Sequence, residues 1–258
     1  MPSITMMVSL EVQGKAADLF TEAVISFTAG EHIAVPQLQG RSYAPYPPTD
    51  AAQFSQRVQK VLGLYDWQIN LVQLNLLDSH DTSRLLSIAR GDKATVRLAT
   101  LFQMTFPGAP SVYYGDEIGL RGAPDPEARY QDRFARWTFP WDRPAEWDRD
   151  LLQYFKAAIA LRHSHPALRR GEFIPLYGQG NVFAFARHDD GETLLVALNV
   201  GNDAETVSVP VGGYWKNGAT LQTLLTSDGA TAGDEVVVKD GQTALKLPAR
   251  EGVVLGGK

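Results

Sequence analysis

The sequence predicts an α/β protein in two parts. Parallel βα units occupy residues 1–170, and a small antiparallel β domain occupies residues 171–258. Two observations carry this. In the first part, helical-period apolar stripes alternate with short apolar runs, the pattern of parallel strands covered by helices. After Gly171 the texture changes to short alternating runs separated by turn signals. With 258 residues, 44% hydrophobic and 21% charged, the chain has the length and composition of a globular protein with a substantial core.

Residues 16–30 read as a helix, with Phe20, Val24 and Phe27 at helical spacing and Gly30 as its stop. Pro36 to Pro48 is rich in Pro, Gly and Tyr and reads as loop. A second helix starts with Thr49 or Asp50 as N-cap and carries Phe54, Val58, Val61, Leu62 and Tyr65 on one stripe. Ile69 to Leu77 reads as a buried strand that ends in the polar cluster Asp78-Ser79-His80-Asp81-Thr82. A third helix, capped by Asp92, runs to about Phe106, where Pro107-Gly108 breaks it. Ser111 to Tyr114 reads as a second buried strand, ended by Gly115-Asp116-Glu117. Arg121 to Arg143 is irregular and polar. A fourth helix starts near Asp148 and carries Leu151, Leu152, Phe155, Ala158 and Ile159, with Pro166 just past its end. Strands then follow at Asn181–Arg187, Thr193–Asn199, Glu205–Val209, Glu235–Lys239 and Thr243–Leu247. Asp189-Asp190-Gly191 and Asp240-Gly241 are turns between them.

The net charge of −5 argues against a nucleic-acid partner, which a basic patch would announce. It gives no reason to expect an anionic membrane surface. With no cysteine there can be no disulfide scaffold, zinc–thiolate site or cysteine nucleophile. No stretch reaches the ~20 apolar residues of a membrane span. Met1 to Leu10 lacks a basic n-region, so a cytoplasmic setting is expected.

Asp78-Ser79-His80-Asp81 is a dense polar cluster at the point where a buried strand leaves its sheet, and reactive groups of βα architectures sit at such carboxyl ends. A plainer reading is also open, in which Asp81 or Thr82 caps a turn and His80 bonds a neighbour. Gly115-Asp116-Glu117 can likewise be a turn and an N-cap. His163 and His165 sit two apart on different helix faces, which disfavours a shared metal. No P-loop, dinucleotide-binding glycine motif or nucleophile elbow is present.

Leu74-Asn75-Leu76-Leu77-Asp78-Ser79-His80-Asp81-Thr82 resembles the fourth conserved region of the α-amylase family, and is most similar to its neopullulanase, cyclomaltodextrinase and maltogenic-amylase branch. The run from Phe106 to Leu120 resembles that family's eighth-strand motif. Asp125-Pro126 with Arg129, then Phe139-Pro140-Trp141-Asp142, resembles the loop after it. The segment after Gly171 is similar to the family's C-terminal sandwich.

The resemblance implies a partial (β/α)8-barrel segment, about strands six to eight, followed by an antiparallel β-sandwich. It implies a retaining glycosidase acting on α-1,4-glucans such as starch, maltodextrin or cyclodextrin. Asp81 would be the transition-state stabiliser and His80 would hold hydroxyls of the sugar at the cleavage point. Arg84, Tyr114, Glu117, Asp125 and Arg129 complete the candidate sugar-binding set, with Glu117 mainly structural. The family's nucleophile aspartate and acid glutamate lie on strands four and five, and neither motif is found here. Ile4 to Leu10 is read as a substitute sixth strand.

Three functions stay open. The chain is a minimal hydrolase with Asp78 as substitute carboxylate, a glucan-binding remnant, or a piece that works with a partner chain. No cofactor is expected; calcium is possible without support from this segment. The open edges of a partial barrel predict a homo-oligomer.

Overall fold

The computed structural model describes residues 19–29, 48–80, 82–122, 135–231 and 235–257. The expected strand at Ile4–Leu10 lies outside these residues. Helix α1 occupies 19–28. Helix α2, Ala51–Leu62, is capped by Asp50, whose carboxylate accepts from the Gln53 N–H at 2.8 Å. A helical turn α3, Trp67–Asn70, leads into strand β1, Leu74–Leu76. Helices α4, Leu85–Ile88, and α5, Lys93–Thr105, precede strand β2, Ala109–Ser111. Helices α6, Arg149–Ser164, and α7, Pro166–Arg170, close the first part.

Strands β1 and β2 pair in parallel, Leu74 opposite Ala109 and Leu76 opposite Ser111. Three side chains fasten the pair. Gln103 of α5 donates to the Asn75 carbonyl at 2.8 Å and to the Ser111 carbonyl at 3.1 Å. Asn75 donates to the Pro107 carbonyl at 2.7 Å. Thr21 of α1 donates to the Leu76 carbonyl at 2.7 Å. Gly108 makes the close approach possible. At φ +110° it occupies backbone space that side chains avoid, and a Cβ there would meet the Asn75 amide and the Gln73 carbonyl, each at 2.7 Å.

Both strands differ from the sequence expectation. Ile69 and Asn70 belong to α3 rather than to a strand. Asn70 is buried, and its amide donates to the Leu62 and Tyr65 carbonyls, satisfying the end of α2 and holding the chain in a turn. The second strand lies at 109–111, not 111–114. Beyond Ser111 the carbonyls are taken elsewhere: Tyr113 accepts from the Asp116 N–H in a 3₁₀ turn, and Tyr114 accepts from Arg84.

The second part holds a six-stranded antiparallel sheet in the order β3-β4-β5-β10-β7-β8 and a two-stranded sheet β6-β9. The strands are β3 Glu172–Gln179, β4 Val182–Asp189, β5 Glu192–Asn199, β6 Glu205–Pro210, β7 Thr220–Thr226, β8 Glu235–Val237, β9 Gln242–Leu247 and β10 Glu251–Gly257. Strands β6 and β9 alternate buried and exposed residues, and pack Val207, Val209, Leu245 and Leu247 against Val182, Ala184, Leu195 and Ala197 of the large sheet. The fold is therefore a barrel-type βα segment followed by a β-sandwich.

The other face of the large sheet packs on the helices. Phe27 of α1 stacks on Phe54 of α2 at 4.3 Å, Phe54 meets Phe102 of α5 at 5.1 Å, and Phe102 meets Phe185 of β4 at 5.6 Å. One apolar core thus runs from the helices into the sheet. Aromatic pairs of this kind add about 0.5–1.5 kcal/mol each beyond area burial.

Two buried arginines bind the same junction without a carboxylate. Arg187 of β4 is 0% exposed. It donates to the carbonyls of Thr105, of Leu168 at 2.9 Å, of Gly171 at 2.7 Å and of Glu172 at 3.3 Å. Arg162 of α6 donates to Met104 at 2.8 Å, Phe106 at 2.9 Å and Leu168 at 2.8 Å, and also to Gly108. The last carbonyls of α5 lack helical partners and carry the negative end of its dipole, so they suit cations. Burial, and then Arg162 beside it, lowers the Arg187 guanidinium to about 9, so it stays charged at neutral pH.

Replacing Arg187 by Met leaves several buried carbonyls without donors. Each orphaned group costs ~1–3 kcal/mol, offset in part by relief of a buried charge. Arg187→Met is expected to lower unfolding stability by about 2–4 kcal/mol. An unchanged urea midpoint would refute this staple.

Candidate active site

The polar cluster begins where β1 ends, so β1 and β2 and the turns after them set its geometry. Asp78 is buried, and its Oδ2 accepts from the Leu85 N–H at 2.7 Å, capping α4. Ser79 donates its backbone N–H to the Thr82 hydroxyl at 2.8 Å, so Thr82 closes a local turn. His80 is exposed, and its carbonyl accepts from the Arg136 Nε at 3.2 Å. Asp81, Asp125 and Arg129 lie outside the described residues.

Arg84 is 0% exposed and sits at the centre of a buried network. It donates to the Tyr114 carbonyl at 2.7 Å and to the Ala135 carbonyl at 2.9 Å. Its Nη1 lies 3.5 Å from the Asp116 carboxylate. The guanidinium also lies over the Tyr113 and Tyr114 rings, at 4.7 and 4.8 Å. These contacts enclose Arg84, which braces both strand ends rather than presenting donors at the surface. Tyr114 keeps an exposed ring, and its hydroxyl donates to the Trp137 carbonyl at 2.6 Å. Glu117 is half-buried and accepts from the Gly115 N–H at 2.7 Å, bracing the turn after β2.

Asp116 joins Asp78 in this network, a partnership the sequence does not announce. Both carboxyls are buried. Asp78 Oδ1 is buried beside the Asp116 carboxyl. Desolvation, and then the adjacent Asp78, push the Asp116 carboxyl well above the usual carboxylate range. Asp78 is also raised by burial, while the bonds from Asp116 and Leu85 and the charge of Arg84 pull it back. The two acids therefore titrate together beside one guanidinium, both held above the usual carboxylate range. Among the described residues, no group of three or more His, Asp or Glu is arranged to hold a metal.

A carboxyl whose folded value is raised stabilises the fold below its unfolded value of 3.8, and that contribution is lost as pH rises through the raised folded value. Asn at 116 can donate to Asp78 at any pH. Asp116→Asn should therefore gain at least about 1 kcal/mol of stability relative to the parent between about pH 4 and pH 8. Parallel urea melts with a constant difference would show that the Asp116 carboxyl is not raised in the fold.

The arrangement is that of a known family. Residues 21–145 match the alpha amylase catalytic domain, and residues 173–248 match the neopullulanase-like C-terminal domain. A cyclomaltodextrinase of Geobacillus thermopakistaniensis is 37% identical over 214 residues, covering 76% of this chain and 34% of that protein. Neopullulanase 2 of Thermoactinomyces vulgaris is 35% identical over 246 residues, covering 92% of this chain and 35% of that protein. Among solved structures, the acarbose-soaked debranching enzyme of Nostoc punctiforme superposes with a TM-score of 0.76 at 39% identity, over 92% of this chain and 45% of that one. The chain spans about a third of the length of these curated relatives. Carrying a stretch of that catalytic domain and the C-terminal domain that follows it, the chain belongs to the α-amylase family, on its neopullulanase and cyclomaltodextrinase branch.

Proposed function

We propose that the chain takes part in hydrolysing α-1,4-linked glucans such as starch, maltodextrin or cyclodextrin, and that His80 and Asp81 hold the sugar at the cleavage point. The observation that carries this is the polar segment 78–82 just past β1, within the stretch matched to an alpha amylase catalytic domain. The Asp81 carboxylate accepts hydrogen bonds from sugar hydroxyls, and such bonds strengthen as the ring flattens toward an oxocarbenium ion. The His80 imidazole contributes a donor to the same hydroxyls. The reading invokes no cofactor and keeps a cytoplasmic setting.

One observation favours a second reading. A nucleophile and an acid must both reach the scissile bond, about 5–5.5 Å apart for retention. Asp78 and Asp116 are buried and engaged with each other, Leu85 and Arg84, which argues against recruiting them as that pair. The nucleophile and acid would then come from another chain, with this one supplying sugar contacts. Leu74 and Val72, 55% and 66% exposed beside β1, support association.

Release of reducing sugar from soluble starch tests the first reading. Loss of a charge-assisted hydrogen bond worth ~1.5–3 kcal/mol should slow Asp81→Asn by at least about tenfold, mainly in turnover. Full activity in that variant would end the assignment of Asp81. For the association, light scattering should give a mass above the 28.3 kDa of one chain. A stable monomer at low concentration would remove the homo-oligomer from this reading.

A further inference from the structure

We infer that Trp141, with Phe139 and Trp147 behind it, is a stacking platform that extends the binding of an α-glucan chain beyond His80. The inference rests on the reading that this chain handles α-glucans, and deepens it by naming where further sugar units would lie.

The first argument is the platform itself. Trp141 is 73% exposed, although an indole of that size is usually buried in large part. It is nevertheless held in place. Its ring lies 4.2 Å from the Phe139 ring and 5.7 Å from the Trp147 ring, and Phe139 and Trp147 meet edge-on at 5.2 Å. Trp147 is fixed in turn by donating to the Pro140 carbonyl at 3.0 Å and by the Arg149 guanidinium 4.8 Å from its ring centre. A rigid, uncovered aromatic face offers a large contact area at little entropic cost.

The chemistry beside it is the second argument. Trp147 also lines a wide, open depression together with Leu86, Ile118, Arg121, Glu146, Arg149 and Asp150. Side chains of both charge signs thus line it. An ion would want one sign, whereas a neutral polyhydroxyl compound needs both, next to an apolar face for its C–H surface. A pyranose has that combination.

Position is the third. The segment that leads to the platform is tied to the strand ends of the candidate site: Arg136 donates to the His80 carbonyl at 3.2 Å, and Trp137 accepts from the Tyr114 hydroxyl at 2.6 Å. An oligosaccharide with one unit at His80 can therefore continue along this segment, as a polymer requires and a single sugar does not.

The test is titration of the purified chain with maltoheptaose, maltose and cellohexaose, followed by tryptophan fluorescence and isothermal calorimetry, for the parent, Trp141→Ala and His80→Ala. Circular dichroism checks that each variant folds, and because Trp141 is at the surface its removal should leave the fold intact. The expected result is a Kd for maltoheptaose about tenfold weaker in Trp141→Ala, as for loss of a large aromatic anchor. Maltose affinity should change less than twofold. Equal maltoheptaose affinity in parent and Trp141→Ala would overturn the inference, as would equal parental affinity for cellohexaose or no maltoheptaose binding at all. Reducing-sugar release is scored separately. Trp141-dependent binding by a chain that releases no sugar upholds the platform and removes hydrolysis by this chain alone. Sugar release with no dependence of binding on Trp141 does the reverse.

Discussion

The structure depends on how the buried C-terminal end of α5 is satisfied. The carbonyls of Met104, Thr105 and Phe106 point into the junction between the βα segment and the β-sandwich, where water is excluded. Arg162 from α6 and Arg187 from β4 answer them. A carboxylate would normally accompany a buried guanidinium, but here a helix end takes its place, its carbonyls and dipole serving as a distributed anion. The consequence is geometric. Because both arginines also bind Leu168, and Arg187 binds Gly171, the short helix α7 and the entry to β3 are fixed relative to α5. Since α5 also carries Gln103, which bonds both parallel strands, the strand ends of the candidate site inherit their position from this junction.

The same economy explains how a parallel pair of three-residue strands persists. Two strands in isolation are marginal at best. Here the helices that cover them bury their other faces on the large antiparallel sheet, through Phe54, Phe102, Phe183 and Phe185. Gly252 of β10 contributes by lacking a side chain, since a Cβ there would meet Leu101 of α5 at 2.7 Å. The sheet therefore acts as a wall for the βα segment, and Arg84 with its two acids pins the polar ends of β1 and β2 from within.

Much of this was legible in the sequence, and the gaps have physical causes. The helix caps Asp50, Asp92 and Asp148 sit at the starts of α2, α5 and α6, because a short acceptor before an apolar stripe has few other uses. The strands with regular alternation or long apolar runs, such as β4, β5, β6 and β9, were readable for the same local reason. Strands β3, β7 and β10 were not. Pro175 and Gly178 interrupt β3, and Gly252 and Gly256 interrupt β10, so these strands are defined by their neighbours rather than by their own pattern. In the candidate site, the polar segment 78–82 was visible as a cluster. The enclosure of Arg84 was not, because its partners Tyr114, Asp116 and Ala135 lie 30 or more residues away and four of its contacts are to backbone carbonyls or ring faces.

That enclosure bears on how acids are allotted in this region. Asp78 and Asp81 are three apart in sequence, and on spacing alone either could do chemistry. Burial separates their prospects. An acid held below the surface, bonded to a helix N-terminus and coupled to a second buried acid, serves the fold. Moving it to a sugar would break the α4 cap and strand Asp116 beside Arg84. The turn that Ser79 and Thr82 close differs in this respect, because it holds His80 at the surface. The buried acids serve that turn indirectly. By fixing the end of β1 against the turn after β2, they hold in place the turn that carries His80.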